Sequence, residues 1–173
     1  MVGAYACYIP RKYPSLRAWR WLLLPVVLLA MISATCSSNG GTVIPNFRCP
    51  VDGSTYSDSY GPRSDGSFHY GIDMLAPTGT PIWAVKAGSV HYTLESAGGL
   101  VAYLSGVDGN AYYYAHLSST IGDNDRGVGQ GEALGRVGQT GNATGPHLHF
   151  EIRLGGVNGQ RIDPYPTLRN AGC

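Results

Sequence analysis

The stretch "HLHFEIRL", residues 147–154, constrains the fold of this chain more than any other eight residues. In a β-strand, side chains two apart share a face, so His147, His149 and Glu151 project together while Leu148, Phe150 and Ile152 project the opposite way. The second set is wholly apolar and belongs against a core. The first set must then face solvent or a cleft. Neither simple burial of the two histidines nor an irregular loop accounts for such an alternation.

The rest of the chain reads the same way. "FHYGIDML", "PIWAV", "GSVHYTL", "GLVAYLSGV", "AYYYAHL" and "ALGRVGQ" are short runs rich in β-branched and aromatic residues, mostly separated by clusters of Gly, Asn, Asp or Pro. No window sustains a helical period over three turns. The expected fold class is all-β, a small antiparallel β-sandwich or partial barrel. With 173 residues, the chain has room for one such domain plus extensions.

The N-terminal part differs in kind. Arg11, Lys12, Arg17 and Arg20 precede "WLLLPVVLLAMISA", and no acidic residue appears before Asp52. A basic segment, about a dozen apolar residues and then small ones form the layout of an export signal. A membrane span needs roughly 20 apolar residues, so Trp21 to Ala34 is short for one. Residues 1–36 are therefore expected to be an export signal or membrane anchor, 37–48 a Ser/Gly-containing linker and 49–173 the folded domain. The junction "SATCSSNGG" leaves two readings open, ordinary cleavage near Ala34 or a lipid on Cys36. Membrane association is expected only through this segment or such a lipid, and the domain is placed outside the cell, in the periplasm or at the envelope.

Removing the four leader cations from the twelve Lys and Arg leaves eight against eleven Asp and Glu, a net charge of about −3. A nucleic-acid binder would carry a basic patch, and none is visible. Cys49 and Cys173 bracket the exported portion and are expected to form a disulfide there, stabilising by about 2–4 kcal/mol. Two free thiols, or Cys49 as a metal ligand, are the competing readings.

The remaining polar candidates come in pieces. "HYGID" sets His69 and Asp73 four apart; Gly71 between them and Pro77 beyond argue against a helix. A flat strand would hold them about 13 Å apart, so joint ligation of one ion requires the chain to bend, which Gly71 tolerates. His116 ends the aromatic run "YYYAHL" and is expected at the rim of the same cleft, whereas His91 has no partner nearby and reads as a surface or packing residue. Two histidines and a carboxylate with an open position form a common catalytic zinc set, although spacing alone also allows a chance gathering.

Taken together, "HYGIDMLAPTGTPIWAVKAGSV", "YYYAHLS", "GQTGNATGPHLHFEI" and "DPYPTL" resemble the lysostaphin/LytM-type zinc metallopeptidases over Tyr60 to Leu168. The ordered combination HxxxD, an isolated His and HxH is specific where either short motif alone is weak. The resemblance implies one Zn²⁺ per domain on His69, Asp73 and His149, with His116 and His147 beside it as catalytic groups. It also implies a small antiparallel β fold with a substrate groove and cleavage of peptide stems or cross-links in bacterial peptidoglycan.

HExxH, with its glutamate base, is absent here, so a histidine must move the proton, and an imidazole titrating near pH 6.5 suits that task. His116 is assigned as the general base or shuttle and His147 as the group that orients water or meets the oxyanion, an assignment open to exchange. Glu151 is a candidate to orient a ligand imidazole or else a structural ion pair; Tyr60 and Arg63 in "DSYGPR" either line the groove or form a turn. The glycines of "GQTGNATGP" read as a tight loop, since no Gly-Lys-Ser/Thr element follows. Two other function classes compete. One is a non-hydrolytic wall module that positions or activates another hydrolase, and relatives of that kind lack ligands that are all present here. The other, a mononuclear iron oxygenase, fails on its usual HxD spacing.

Overall fold

Strand by strand, the alternation read from "HLHFEIRL" organises the molecule. A computed structural model of the protein describes residues 41–173. The expected export segment, the Ala34 and Cys36 readings and the start of the linker lie outside the described residues. In chain order the elements are β1 Gly61–Pro62, β2 Phe68–His69, β3 Ile72–Leu75, β4 Pro81–Trp83, β5 Gly88–Glu95, β6 Gly99–Gly106, β7 Ala111–Thr120, β8 Arg126–Val128, β9 Ala133–Val137, β10 His147–Leu154, β11 Gln160–Ile162 and the helix α1 Tyr165–Asn170. The expected antiparallel all-β class is borne out, with α1 the one helix among the described residues.

Nine of the strands form one sheet whose main path runs β11-β10-β7-β6-β5-β8. β10 is central to it. One edge of β10 is divided between β3, opposite residues 147–150, and β11, opposite residues 152–154; the other edge pairs with β7. β7 is long enough to serve two neighbours in turn, β10 along its first half and β9 along its second. β4 pairs with β9, and β1 with β2 forms a separate two-stranded ribbon.

The core lies on the face carrying Ile72, Met74, Tyr112, Tyr114, Leu148, Phe150 and Ile152, all fully buried. The three consecutive tyrosines of β7 obey the period of two. Tyr112 and Tyr114 enter the core with their hydroxyls satisfied, Tyr112 donating to Asp108 at 2.6 Å and Tyr114 accepting the Val85 N–H at 3.1 Å. Tyr113 points the other way, with Val101 and Ala115 in a small second cluster. Ahead of Cys49, Ile44 is buried and donates its N–H to Thr167 at 3.1 Å, and Phe47 packs edge-on to Tyr112 and Phe150. The Cys49–Cys173 disulfide is formed, closing a sequence separation of 124 residues.

Candidate metal centre

Four of the five histidines line one cavity of about 450 Å³ on the face opposite the core. β10 brings His147 and His149 there as its alternation requires, and β3 lies alongside with Asp73 directly opposite His149. His69 arrives from β2. The chain breaks strand geometry at Tyr70 and Gly71 between β2 and β3, so the bend required from sequence is present and His69 Nε2 lies 3.1 Å from Asp73 Oδ1. His149 Nδ1 completes a triangle, 2.9 Å from both atoms.

The protonation of the rings follows from their other partners. A backbone carbonyl or a carboxylate only accepts, so the ring nitrogen facing it carries the hydrogen. His69 Nδ1 donates to the Ser59 carbonyl at 2.7 Å, and His149 Nε2 faces Glu151 Oε1 at 3.3 Å. His69 Nε2 and His149 Nδ1 are thereby left as lone pairs, aimed at each other and at a carboxylate oxygen. Three acceptors facing one another at 2.9–3.1 Å repel unless a cation lies among them. Tetrahedral zinc with bonds of about 2.0–2.1 Å has ligand–ligand edges of roughly 3.3 Å, so this donor set fits it.

The charges around the triangle support the same conclusion. Burial disfavours an ionised Asp73, yet the adjoining His149 and His69 rings outweigh it and hold the carboxyl well below its usual range. Burial likewise works against a charged His149 ring, and the carboxylates of Asp73 and Glu151 reverse that and raise its proton affinity. Asp73 also has Arg63 at 3.6 Å from its second oxygen.

His116 and His147 lie next to the triangle, with ring centroids 4.7 Å apart. Each gives its Nδ1 hydrogen to a carbonyl at 2.8 Å, His116 to Thr140 and His147 to Gly145, leaving Nε2 as the free position. His147 Nε2 is 3.7 Å from Asp73 Oδ1. Sequence reasoning put His116 at a strand end, and here the structure differs: it lies inside β7, with a left-handed φ of 66°. Strict alternation from Tyr112 and Tyr114 would send His116 into the core. One extra residue at this point, visible as a register shift against β6, returns it to the groove and gives the core position to Leu117. The Gly98 carbonyl, accepting the His116 N–H at 2.8 Å, holds the bulge. Burial keeps the His116 imidazole below its ordinary value.

Glu151 meets both the imidazole and the cations between which sequence left it open. It is buried, faces His149, and receives Arg153 at 2.7 Å and Arg161 at 3.1 Å. Of the two readings left open for Tyr60 and Arg63, Arg63 lines the cavity; Tyr60 does not, and instead supports Phe68 edge-on and donates to the Arg161 carbonyl. His91 is a surface residue beside Asp125. Arg153, Tyr113 and Thr140 escaped sequence reasoning. Arg153 and Tyr113 were within reach of it, because each continues a strand alternation by one step; Thr140 sits in a loop with no periodic signal.

The chain matches the family model "Peptidase family M23" over residues 67–164. It is 40% identical over 97 residues to the DD-carboxypeptidase/endopeptidase Mpg of Neisseria meningitidis serogroup B, covering 56% of this chain and 22% of that protein. With the peptidoglycan DD-endopeptidase ShyC of Vibrio cholerae serotype O1 the identity is 33% over 118 residues, covering 64% and 27%. The chain thus spans about a quarter of the length of these curated relatives. Among solved structures, the catalytic domain of the antimicrobial peptidase lysostaphin from Staphylococcus simulans aligns with a TM-score of 0.62 at 31% identity, over 67% of this chain and 92% of that one.

Proposed function

The chain belongs to peptidase family M23, and on that premise we propose that it is a zinc-dependent endopeptidase acting on the stems or cross-links of bacterial peptidoglycan outside the cytoplasm. The observation that carries this reading is the convergence of His69 Nε2, Asp73 Oδ1 and His149 Nδ1, with two further imidazoles beside them in an open groove. ShyC, named as a peptidoglycan DD-endopeptidase, supports the substrate class.

His69, Asp73 and His149 would hold the ion. Zinc so held supplies Lewis-acid polarisation of a carbonyl and lowers the pKa of water toward neutrality. The chain's own residues do the remainder. With Nδ1 committed to Thr140, a neutral His116 offers a lone pair at Nε2 and takes the proton from the attacking water. Its burial suits that role, because it keeps the ring unprotonated to lower pH. His147, committed at Nδ1 to Gly145, orients the same water through Nε2 and donates to the developing oxyanion only once protonated. Glu151 fixes the tautomer of His149, and the two arginines fix Glu151.

Removal of metal by a chelator, followed by addition of one equivalent of zinc, tests the metal requirement. Loss and recovery of peptide cleavage are expected. Full cleavage by metal-free protein would contradict the reading.

A further inference from the structure

The groove extends past the metal centre to the hairpin joining β5 and β6, where Glu95, Ala97 and Gly98 line it. Both carboxylate oxygens of Glu95 are held by tyrosine hydroxyls: Tyr103 donates to Oε1 at 2.6 Å and Tyr113 to Oε2 at 2.8 Å. The hairpin is shaped around this arrangement. A Cβ on Gly98 would overlap the Tyr113 hydroxyl and press on Glu95 Oε2 at 3.3 Å.

The other two carboxylates of the groove are matched by cations. Asp73 faces Arg63, and Glu151 faces Arg153 and Arg161. Glu95 has no such match: among the described residues no Lys, Arg or His nitrogen lies within 4.0 Å of it. Two hydroxyl donors leave about half of a carboxylate's four acceptor positions free. The tyrosines do not neutralise it, because each lends it only a hydroxyl hydrogen bond. The result is a carboxylate held in place, with open lone pairs, in the groove proposed to take the peptide.

The sheet gives the spacing between the strand that carries His149 and the tyrosines that hold Glu95. Glu151 on β10 pairs with Tyr113 on β7, which pairs with Tyr103 on β6, so two strand spacings, about 10 Å, separate β10 from the Glu95 platform. That is the reach of roughly three extended residues, or one residue and a long amine-bearing side chain. We propose that Glu95 is a subsite for a primary ammonium group carried by the peptide substrate, so that the enzyme selects peptides with a free amine near the scissile bond. The ammonium supplies three donors, which the free lone pairs of Glu95 accept. The proposal rests on the endopeptidase reading and names the substrate class of that site.

The test uses the zinc-loaded full chain and two probes, a lysine-containing pentapeptide of peptidoglycan-stem sequence and its Nε-acetylated form. Binding is read by calorimetry and cleavage by mass spectrometry. The free amine should bind at least tenfold tighter, and in Glu95→Gln the two forms should bind alike; Glu95→Asp, keeping the charge, should recover part of the preference and so separate charge from damage to the fold. Equal binding by the native protein, or an undiminished preference in Glu95→Gln, overturns the subsite. Amine-selective binding without cleavage of either peptide leaves the subsite standing and removes stem cleavage from the endopeptidase reading, whereas cleavage with no amine preference contradicts the subsite alone.

Discussion

Gly71 and His149 approach so closely that no side chain fits between them: a Cβ on Gly71 would lie 2.7 Å from both Cε1 and Nε2 of the imidazole and 2.5 Å from the Phe150 carbonyl oxygen. The bend that carries His69 to Asp73 therefore needs glycine for space, since Gly71 is not among the residues with a left-handed φ. Gly71→Ala is expected to cost about 1–3 kcal/mol and to loosen metal retention by shifting the His149 ring. Thermal unfolding and zinc content after dialysis measure both. A variant that melts and retains zinc like the native protein would refute the crowding argument.

His116 occupies a left-handed backbone position that favours glycine, with a φ of 66°. Alanine there keeps the backbone strain and loses the imidazole; glycine loses the imidazole and relieves the strain. Both variants should be inactive, but His116→Gly should be the more stable by about 1 kcal/mol in urea unfolding. Equal or reversed stability would mean that the bulge is not strained.

Glu151 joins the proposed metal ligand His149 to a buried arginine. Glu151→Gln keeps an acceptor for His149 and removes the charge that Arg153, itself nearly fully buried, depends on. Zinc affinity should fall roughly 10–100-fold, and stability by about 3–5 kcal/mol. Competition with a chromophoric chelator reads the first and denaturant unfolding the second. A loss of stability with unchanged zinc affinity would confine Glu151 to an ion-pair role.

The pH dependence follows from His116. The base must be neutral to accept a proton, and burial sets its pKa below the ordinary 6.5. Activity is therefore fully available above that pKa and is lost as pH falls through it; a nearby metal cation would move the limb further in the same direction. The acid limb of kcat/KM should lie below pH 6.5. An acid limb above pH 7 would remove His116 from the role of base.

Much of this site was legible in the sequence because β-strands report their faces locally. The alternation in residues 147–154 placed His147, His149 and Glu151 in the groove and Leu148, Phe150 and Ile152 in the core, as found. The paired cysteines at 49 and 173 likewise gave the disulfide. What stayed hidden was non-local or broke the period. The bulge at His116 shifts the parity of β7 by one residue, and only pairing with β6 reveals it. The Arg161 contact to Glu151 depends on β11 lying beside β10, and the Thr140 carbonyl that fixes His116 comes from an irregular loop. Gly71 stands at the bend that the sequence required there, and the space requirement imposed on it by a ring 78 positions away, at His149, was not legible.

The most direct measurement incubates the purified zinc-loaded protein with chemically different peptidoglycans, identifies released fragments by mass spectrometry and runs Asp73→Ala beside it. Defined peptide-bond cleavage by the native protein, absent from the variant, is the expected result and would name the bond. Intact peptidoglycan after incubation with protein shown to hold one zinc would contradict the endopeptidase reading and favour a non-hydrolytic wall module in its place.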